Sequence, residues 1–178
     1  MKASSLPTHL ASQHEVYQVV AVPDWERLTP TDDSLNTPEC FAFDKKSSLT
    51  SITFEANSQL QTIERGAFKG TTLSSISLPP SLTTLGNQVF ENVASLNSVT
   101  FGEGSQLTTI GDNVFSGIGT INPPMPRPTI ALPSTVTTIG RSPFGSNVDL
   151  TVPDSNQHFS IENGVLFNRN RTTLVAYA

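Results

Sequence analysis

The 178-residue chain has one cysteine, one tryptophan and two tyrosines, and only 14% of its residues are charged. A single cysteine excludes an internal disulfide, and it leaves no cysteine cluster for structural zinc. Basic residues are also scarce, with 10 Lys and Arg against 15 Asp and Glu and a net charge of −5. Without a cationic cluster there is nothing to displace the counterions of a phosphate backbone, so nucleic acid is not an expected partner. No apolar run approaches the roughly 18 residues that a spanning helix requires. Residues 1–10 lack the apolar centre of a signal peptide, so the expectation is either a chain not exported by that route or a trimmed piece of a longer protein.

What is abundant is hydroxyl: 21 Ser and 22 Thr, with 13 Pro, in a composition poor in helix formers. The apolar residues recur in a fixed order. The first clear unit is Leu49, Ile52, Phe54, Leu60, Ile63, Phe68, and the second is Leu73, Ile76, Leu78, Leu82, Leu85, Phe90. The third reads Leu96, Val99, Phe101, Leu107, Ile110, Phe115, and the fourth Ile130, Leu132, Val136, Ile139, Phe144. The last three positions of each unit keep spacings of 3 and 5, although successive Phe residues lie 22, 25 and 29 apart. Length variation therefore belongs to the connections, where surface loops tolerate it and packed positions do not.

The pattern extends in both directions. Tyr17, Val20, Val22 and Pro23 repeat the order of Leu73, Ile76, Leu78 and Pro79, and Leu35 and Phe43 repeat Leu82 and Phe90. Residues 13–44 thus form a degenerate unit split by an insertion, Asp24 to Ser34, that carries the only Trp. Leu150, Val152 and Pro153 open a fifth unit, which departs into Phe159, Ile161, Asn163-Gly164 and Val165 to Phe167. Asn-Gly between apolar alternations signals a hairpin. A second turn, Asn168 to Arg171, leads into Thr172 to Tyr177. The expected organisation is an N-terminal cap over residues 1–46, repeats over 47–153 and a hairpin-containing C-terminal repeat or cap over 154–178.

Within a unit the alternation predicts a short strand, with Ile52 and Phe54 inward and Ser51 and Thr53 outward. The second apolar pair suits another short strand, followed by a single helical turn that carries the Phe. Neither half folds alone. Stacking coils about 4.8 Å apart supplies hydrogen-bond partners and buries the Leu, Ile and Phe columns in one core, so a solenoid is required.

Leu82-Thr83-Thr84-Leu85-Gly86 through Val89-Phe90, then Leu96 to Val99, Leu107 to Phe115 and Val136 to Phe144, resemble the BspA-like class of leucine-rich repeats. Asn163 to Asn168 with Thr172 to Val175 is similar to segments of the same family. The resemblance covers about residues 41–178. It implies a leucine-rich-repeat solenoid, in the α/β class by convention: mostly short parallel strands in coils, with turns, short helical or 3-10 segments and little regular α-helix. Family members are mostly bacterial surface or secreted proteins, with relatives in parasitic protists, and several are implicated in adhesion. The resemblance therefore implies a cell-surface or secreted location and a protein partner on a host, in a matrix or on another cell, with glycan as a further candidate. The cysteine that the family often places after the Phe is missing from Lys69 to Thr71, Glu91 to Val93 and Ser116-Gly117.

Chemical motifs are sparse. His9, His14 and His158 do not share metal-ligand spacing, and they read as solvated surface groups. Cys40, beside the packed Phe43 position, reads as a small buried hydrophobe rather than a reactive thiol. Gly102-Glu103-Gly104 lacks the residues of a phosphate loop and suits a turn. Asp24, Glu26, Asp32 and Asp33 read as a solvated acidic loop, because calcium needs six to eight converging oxygens. No catalytic residue, cofactor or metal is expected.

Two surfaces remain. The outward positions Ser51, Thr53, Ser75, Ser77, Ser98 and Thr100, continued by Thr129, Ala131, Asp149 and Thr151, form a face of small groups. Thr62, Thr84, Thr109 and Thr138 form a second column. Strand propensity and hydroxyl ladders account for such columns, and a flat recognition surface is the functional alternative. Interfaces concentrate their energy in Trp, Tyr and Arg, none of which stands on the face. The stronger partner-binding candidates are therefore Trp25 and Arg27 in the first insertion, and Met125 and Arg127 in the Pro-rich insertion from Asn122 to Pro128. The expected function is a non-enzymatic module for adhesion or protein interaction. The alternative is an architectural spacer or capping element of a longer repeat protein.

Overall fold

A computed structural model describes residues 43–55, 57–120 and 127–177. They form a solenoid of parallel strands closed by an antiparallel sheet. The main sheet consists of β2 (Ser75–Leu78), β4 (Ser98–Phe101), β6 (Thr129–Ala131) and β8 (Asp149–Thr151), side by side in that order. A second sheet stacks β1 (Thr62–Ile63), β3 (Thr84–Leu85), β5 (Thr109–Ile110) and β7 (Thr138–Ile139). Ile76, Val99, Ile130 and Leu150 occupy one register position, and Ile63, Leu85, Ile110 and Ile139 another. These are the columns that the repeat spacing specified. Outward residues of β2, Ser75 and Ser77, alternate with buried Ile76 and Leu78, as a half-buried strand requires.

Two local expectations fail. Ser51 to Phe54 places Ile52 in the core but forms no regular strand. The bond nearest to it, Ser74 N to Thr50 O just before β2, is long at 3.5 Å. The predicted helical turn before each Phe is also absent, and there is no helix among the described residues. Instead the residue two before the Phe lies in the left-handed region in each of the four coils where it is described: Gly66, Gln88, Asn113 and Ser142, with φ of 63°, 61°, 55° and 44°. The residue two after does so in four coils, at Lys45, Gly70, Asn92 and Gly117. Left-handed backbone costs a residue with a Cβ about 1–2 kcal/mol and cannot continue a right-handed helix. It turns the peptide groups along the solenoid axis. Phe43, Phe68, Phe90 and Phe115 then donate their N–H groups to Ala67, Val89, Val114 and Pro143 of the next coil, at 2.7, 3.0, 2.9 and 2.7 Å. Pro143 serves here because its position only has to accept.

The Phe side chains follow the same axis. Phe43, Phe68, Phe90, Phe115 and Phe144 stack with ring centroids 5.5, 5.6, 5.6 and 5.9 Å apart and planes within 12° of parallel. Phe68, Phe90 and Phe115 are almost fully buried. Close approach on the adjacent side depends on glycine. A Cβ on Gly111 would stand 2.8 Å from the backbone nitrogen of Asn87, and one on Gly86 would stand 2.8 Å from that of Arg65.

The last coil gives way to β9 (Phe159–Glu162), β10 (Val165–Asn168) and β11 (Leu174–Tyr177), an antiparallel sheet in the order β9-β10-β11. Asn163 and Gly164, with φ of 51° and 76°, make the two-residue turn. Phe159, Leu166 and Ala176 join the same core as the repeats. Asn156 fixes the junction. Fully buried, it donates to Pro133 O and Val136 O at 3.3 and 3.1 Å, and it accepts from the N–H groups of His158 and Phe159 at 2.8 and 2.9 Å.

Two stability measurements test this packing. Phe90→Ala is expected to cost about 3–5 kcal/mol by lost transfer energy and a cavity between two rings. A urea-denaturation loss below about 1 kcal/mol would contradict the stacked column. Gly111→Ala is expected to cost roughly 1–3 kcal/mol by overpacking against the Asn87 backbone, and an unchanged midpoint would show that the coils have room to spare there.

Candidate functional site

Two groups of hydroxyls stand out. One bonds backward to carbonyls of the preceding coil: Thr72 to Leu49, Ser81 to Leu60, Thr83 to Gln61, Ser95 to Leu73, Thr135 to Leu107 and Thr137 to Thr108, over 2.7 to 3.3 Å. An amide and an acidic side chain work in the opposite sense, accepting from the following coil: Asn87 Oδ1 from Asp112 N at 2.8 Å, and Asp112 Oδ1 from Arg141 N at 2.6 Å. These groups take up backbone polarity that the short strands leave unpaired.

The other population is the outward face of the main sheet. Ser75, Ser77, Ser98 and Thr100 come into line through the parallel register, Ser75 beside Ser98 and Ser77 beside Thr100. Thr53, Ser75, Ser77 and Thr100 are exposed, and Ser51 and Ser98 are half-buried. None of these six hydroxyls bonds another described residue. The ladder of hydroxyl-to-hydroxyl bonds considered for such columns is therefore not formed among them. In the second column, Thr109 has a hydroxyl contact, with Thr108 of its own coil at 3.4 Å. A shallow depression of about 430 Å³ opens where the first coil meets β2, lined by the outward residues from Ser51 to Glu55 and from Ser75 to Ser77 and by apolar groups that include Phe54, Pro79 and Pro80. Glu55 and Asp149 carry charge at opposite ends of the face, and the outward groups between them are neutral.

Of the four stronger candidates, Arg127 is described; Trp25, Arg27 and Met125 lie outside the described residues, as do Cys40, His9, His14 and the acidic insertion. Arg127 is exposed and holds Asp149 Oδ1 and Ser146 O, each at 3.3 Å. Both ends of that ion pair are about half exposed, so water screens it heavily. Its position matters more: it stands two residues before β6, so the Pro-rich insertion rejoins the chain beside the hydroxyl face. Lys69, Glu91, Gln88 and Arg65 form a separate network across the Phe turns, with Lys69 Nζ 2.6 Å from Glu91 Oε2. Among the described residues there is no metal-binding cluster, no helix long and apolar enough to cross a membrane, and no hydroxyl bonded to His158.

Sequence reasoning missed Asn156, and also the charged turn of Arg169 and Arg171 that the hairpin carries against the last coil. No spacing marks them, because they meet only when the hairpin docks. The left-handed turn residues did leave a trace, in Gly66, Gly70, Asn92, Asn113 and Gly117 beside Phe68, Phe90 and Phe115.

The family model described as the BspA type leucine rich repeat region matches residues 31–151 in six copies. A solved structure, that of the pneumococcal vaccine antigen PcpA, is 30% identical and superposes with a TM-score of 0.65, over 72% of this chain and 31% of that one. A leucine rich cell surface protein from Faecalibacterium prausnitzii A2-165 is 21% identical, with a TM-score of 0.52, over 76% of this chain and 41% of that one. The second likeness concerns the fold alone, and this chain spans less than half of either protein. No curated protein matches it significantly.

The two hydroxyl populations make a direct stability prediction. Ser95→Ala leaves the half-buried Leu73 carbonyl without its donor and is expected to cost about 1 kcal/mol. Ser77→Ala should change stability by less than about 0.5 kcal/mol. Equal losses in thermal or urea unfolding would show that the outward hydroxyls are also structural.

Proposed function

Because this chain belongs to the BspA-type leucine-rich-repeat family, we propose that it is a non-enzymatic interaction module, surface-displayed or secreted, that adheres to a protein of a host, matrix or neighbouring cell. The observation that carries this reading is that family membership, and the surface that accompanies it is the outward face of β2, β4, β6 and β8. It is rigid, because every strand is paired in register, and its hydroxyls are not used by the described fold. Where Ser81, Ser95 and Thr135 are spent on the backbone of the preceding coil, this row is left free. The relative described as a vaccine antigen supports an exposed location.

Affinity needs more than hydroxyls, which gain little over their bonds to water. We assign the anchoring role to Trp25, Arg27, Met125 and Arg127, large groups that bury area at interfaces. Ser51, Thr53, Ser75, Ser77, Ser98 and Thr100 then form a flat flank that contributes shape. The re-entry of the Pro-rich insertion at Arg127 puts one anchor next to that flank, and proline limits the ordering cost of binding.

The test is adhesion of the purified chain to immobilised matrix proteins and to cells. Trp25→Ala and deletion of residues 122–126, which spares the Pro128 carbonyl that accepts from Asp149 N at 2.8 Å, are each expected to weaken binding at least about tenfold. Thr53→Ala and Ser75→Ala should leave it within about twofold, since rim polar contacts contribute little. Every variant is first matched to the parent in melting temperature and circular dichroism. Normal binding by the insertion variants with loss in the strand-face variants would transfer the site to the hydroxyl face.

A further inference from the structure

Beyond the strand face, the docking of the hairpin creates a second concavity. It holds about 400 Å³ and lies between the end of the last coil, at Pro153 and Asp154, and the hairpin, at Phe159, Ser160, Arg169 and Arg171. Its lining includes three charged residues, Asp154, Arg169 and Arg171, in a protein in which only 14% of residues are charged.

Their pairing is incomplete. Arg171 is held by Glu162, Nη1 to Oε2 at 2.9 Å. Arg169 and Asp154 line the same depression, but neither side chain has a partner among the described residues, and they do not pair with each other. Ser160 lines it too, and its hydroxyl oxygen is buried with no hydrogen-bond partner. Among the described residues the one other buried side-chain atom in that state is Asp44 Oδ1. Buried polar groups without partners are uncommon and call for a specific explanation.

The frame that carries these groups is rigid. Asn168 Oδ1 accepts from the N–H groups of Thr172 and Thr173 at 2.8 and 3.0 Å, and its Nδ2 donates to Thr172 Oγ1 at 2.8 Å. Arg169 N donates to His158 O at 2.6 Å and Arg171 N to Asn168 O at 2.9 Å, so both backbone positions are fixed before any ligand arrives. Asn156 anchors the other wall through its four bonds to coil four and the start of β9. Such preorganisation lowers the entropic cost of binding.

We propose that this depression binds a sugar acid, a single saccharide ring bearing a carboxylate and several hydroxyls. The Arg169 fork suits a carboxylate, to which it can donate two parallel N–H bonds. Asp154, an acceptor only, suits a ring hydroxyl as donor. A simple anion satisfies Arg169 and is repelled by Asp154. A neutral sugar satisfies Asp154 and leaves the guanidinium with water. A carboxylate and hydroxyls on one ring match both walls, and a depression of about 400 Å³ has room for such a ring. The assignment is independent of the protein-partner reading, because it shares no residue with the strand face or the two insertions.

The experiment is a titration of the ¹⁵N-labelled chain with methyl β-D-glucuronide, read as amide shift changes, beside parallel titrations with methyl β-D-glucoside, acetate and inorganic phosphate. Saturable shifts confined to residues 152–172, with a millimolar Kd, are expected for the glucuronide alone. Arg169→Ala should weaken it at least about tenfold, Arg169→Lys should fall between parent and alanine, and Asp154→Ala, which removes both the acceptor and the repulsion of simple anions, should abolish the preference for the glucuronide over acetate. These side chains are exposed, so an unchanged melting temperature is the control for folding, and Trp25→Ala should bind the glucuronide as the parent does. Equal shifts with acetate or phosphate would reduce the site to a bare arginine, and equal shifts with the glucoside would remove the arginine from it. No saturable shift with the glucuronide would overturn the proposal outright. Loss of adhesion in Trp25→Ala with glucuronide binding intact, or the reverse, separates this site from the protein-partner site.

Discussion

Each coil leaves most of its peptide groups without partners until another coil lies beside it, and the rest of the structure depends on that requirement. Strands of two to four residues are too short to be stable alone, so their hydrogen bonds must run along the solenoid axis. The two parallel sheets meet this need on two sides. On the third side the left-handed residues flanking each Phe tip the turn so that its amides also point along the axis. The Phe stack follows from the same stacking rather than causing it: rings held at one position per coil, with centroids 5.5 to 5.9 Å apart, lie nearly parallel.

Several sequence features become intelligible as services to that axial bonding. Glycine stands where one coil's backbone presses on the next, at Gly86 and Gly111. Asn87 and Asp112 follow these glycines and clip the next coil through its amide. The high Ser and Thr content has the same origin in part, since a short hydroxyl reaches the preceding coil's carbonyl where no ladder bond exists. A charged side chain at those positions would add desolvation cost without a better fit, which agrees with the low fraction of charged residues.

The main-sheet face and the hairpin are the places where this economy lapses. On the face, ladder bonds already satisfy the backbone, so outward hydroxyls have nothing internal to bond. At the hairpin the chain leaves the parallel register, and Arg169, Arg171 and Asp154 are set by the docking of an antiparallel sheet rather than by the repeat. Functional groups in a repeat protein are expected where the repeat constrains side chains least.

Spacing alone determined the Leu, Ile and Phe columns, the outward positions of the main strand and the Asn163-Gly164 turn, because those features are local. Ile76 must point inward if Ser75 and Ser77 point outward, and Phe90 must repeat Phe68 if both follow the same pair of apolar positions. The conformation of the Phe turn was misjudged, since a three-then-five spacing also fits a helical turn and only axial hydrogen bonding favours the left-handed alternative. Tertiary structure alone decided which hydroxyls are bonded, that Asn156 is a clamp, and that Asp154 shares a concavity with Arg169. Those outcomes depend on side-chain direction and on how the hairpin seats against the last coil, and residues that meet through docking across many positions leave no periodic trace in the chain.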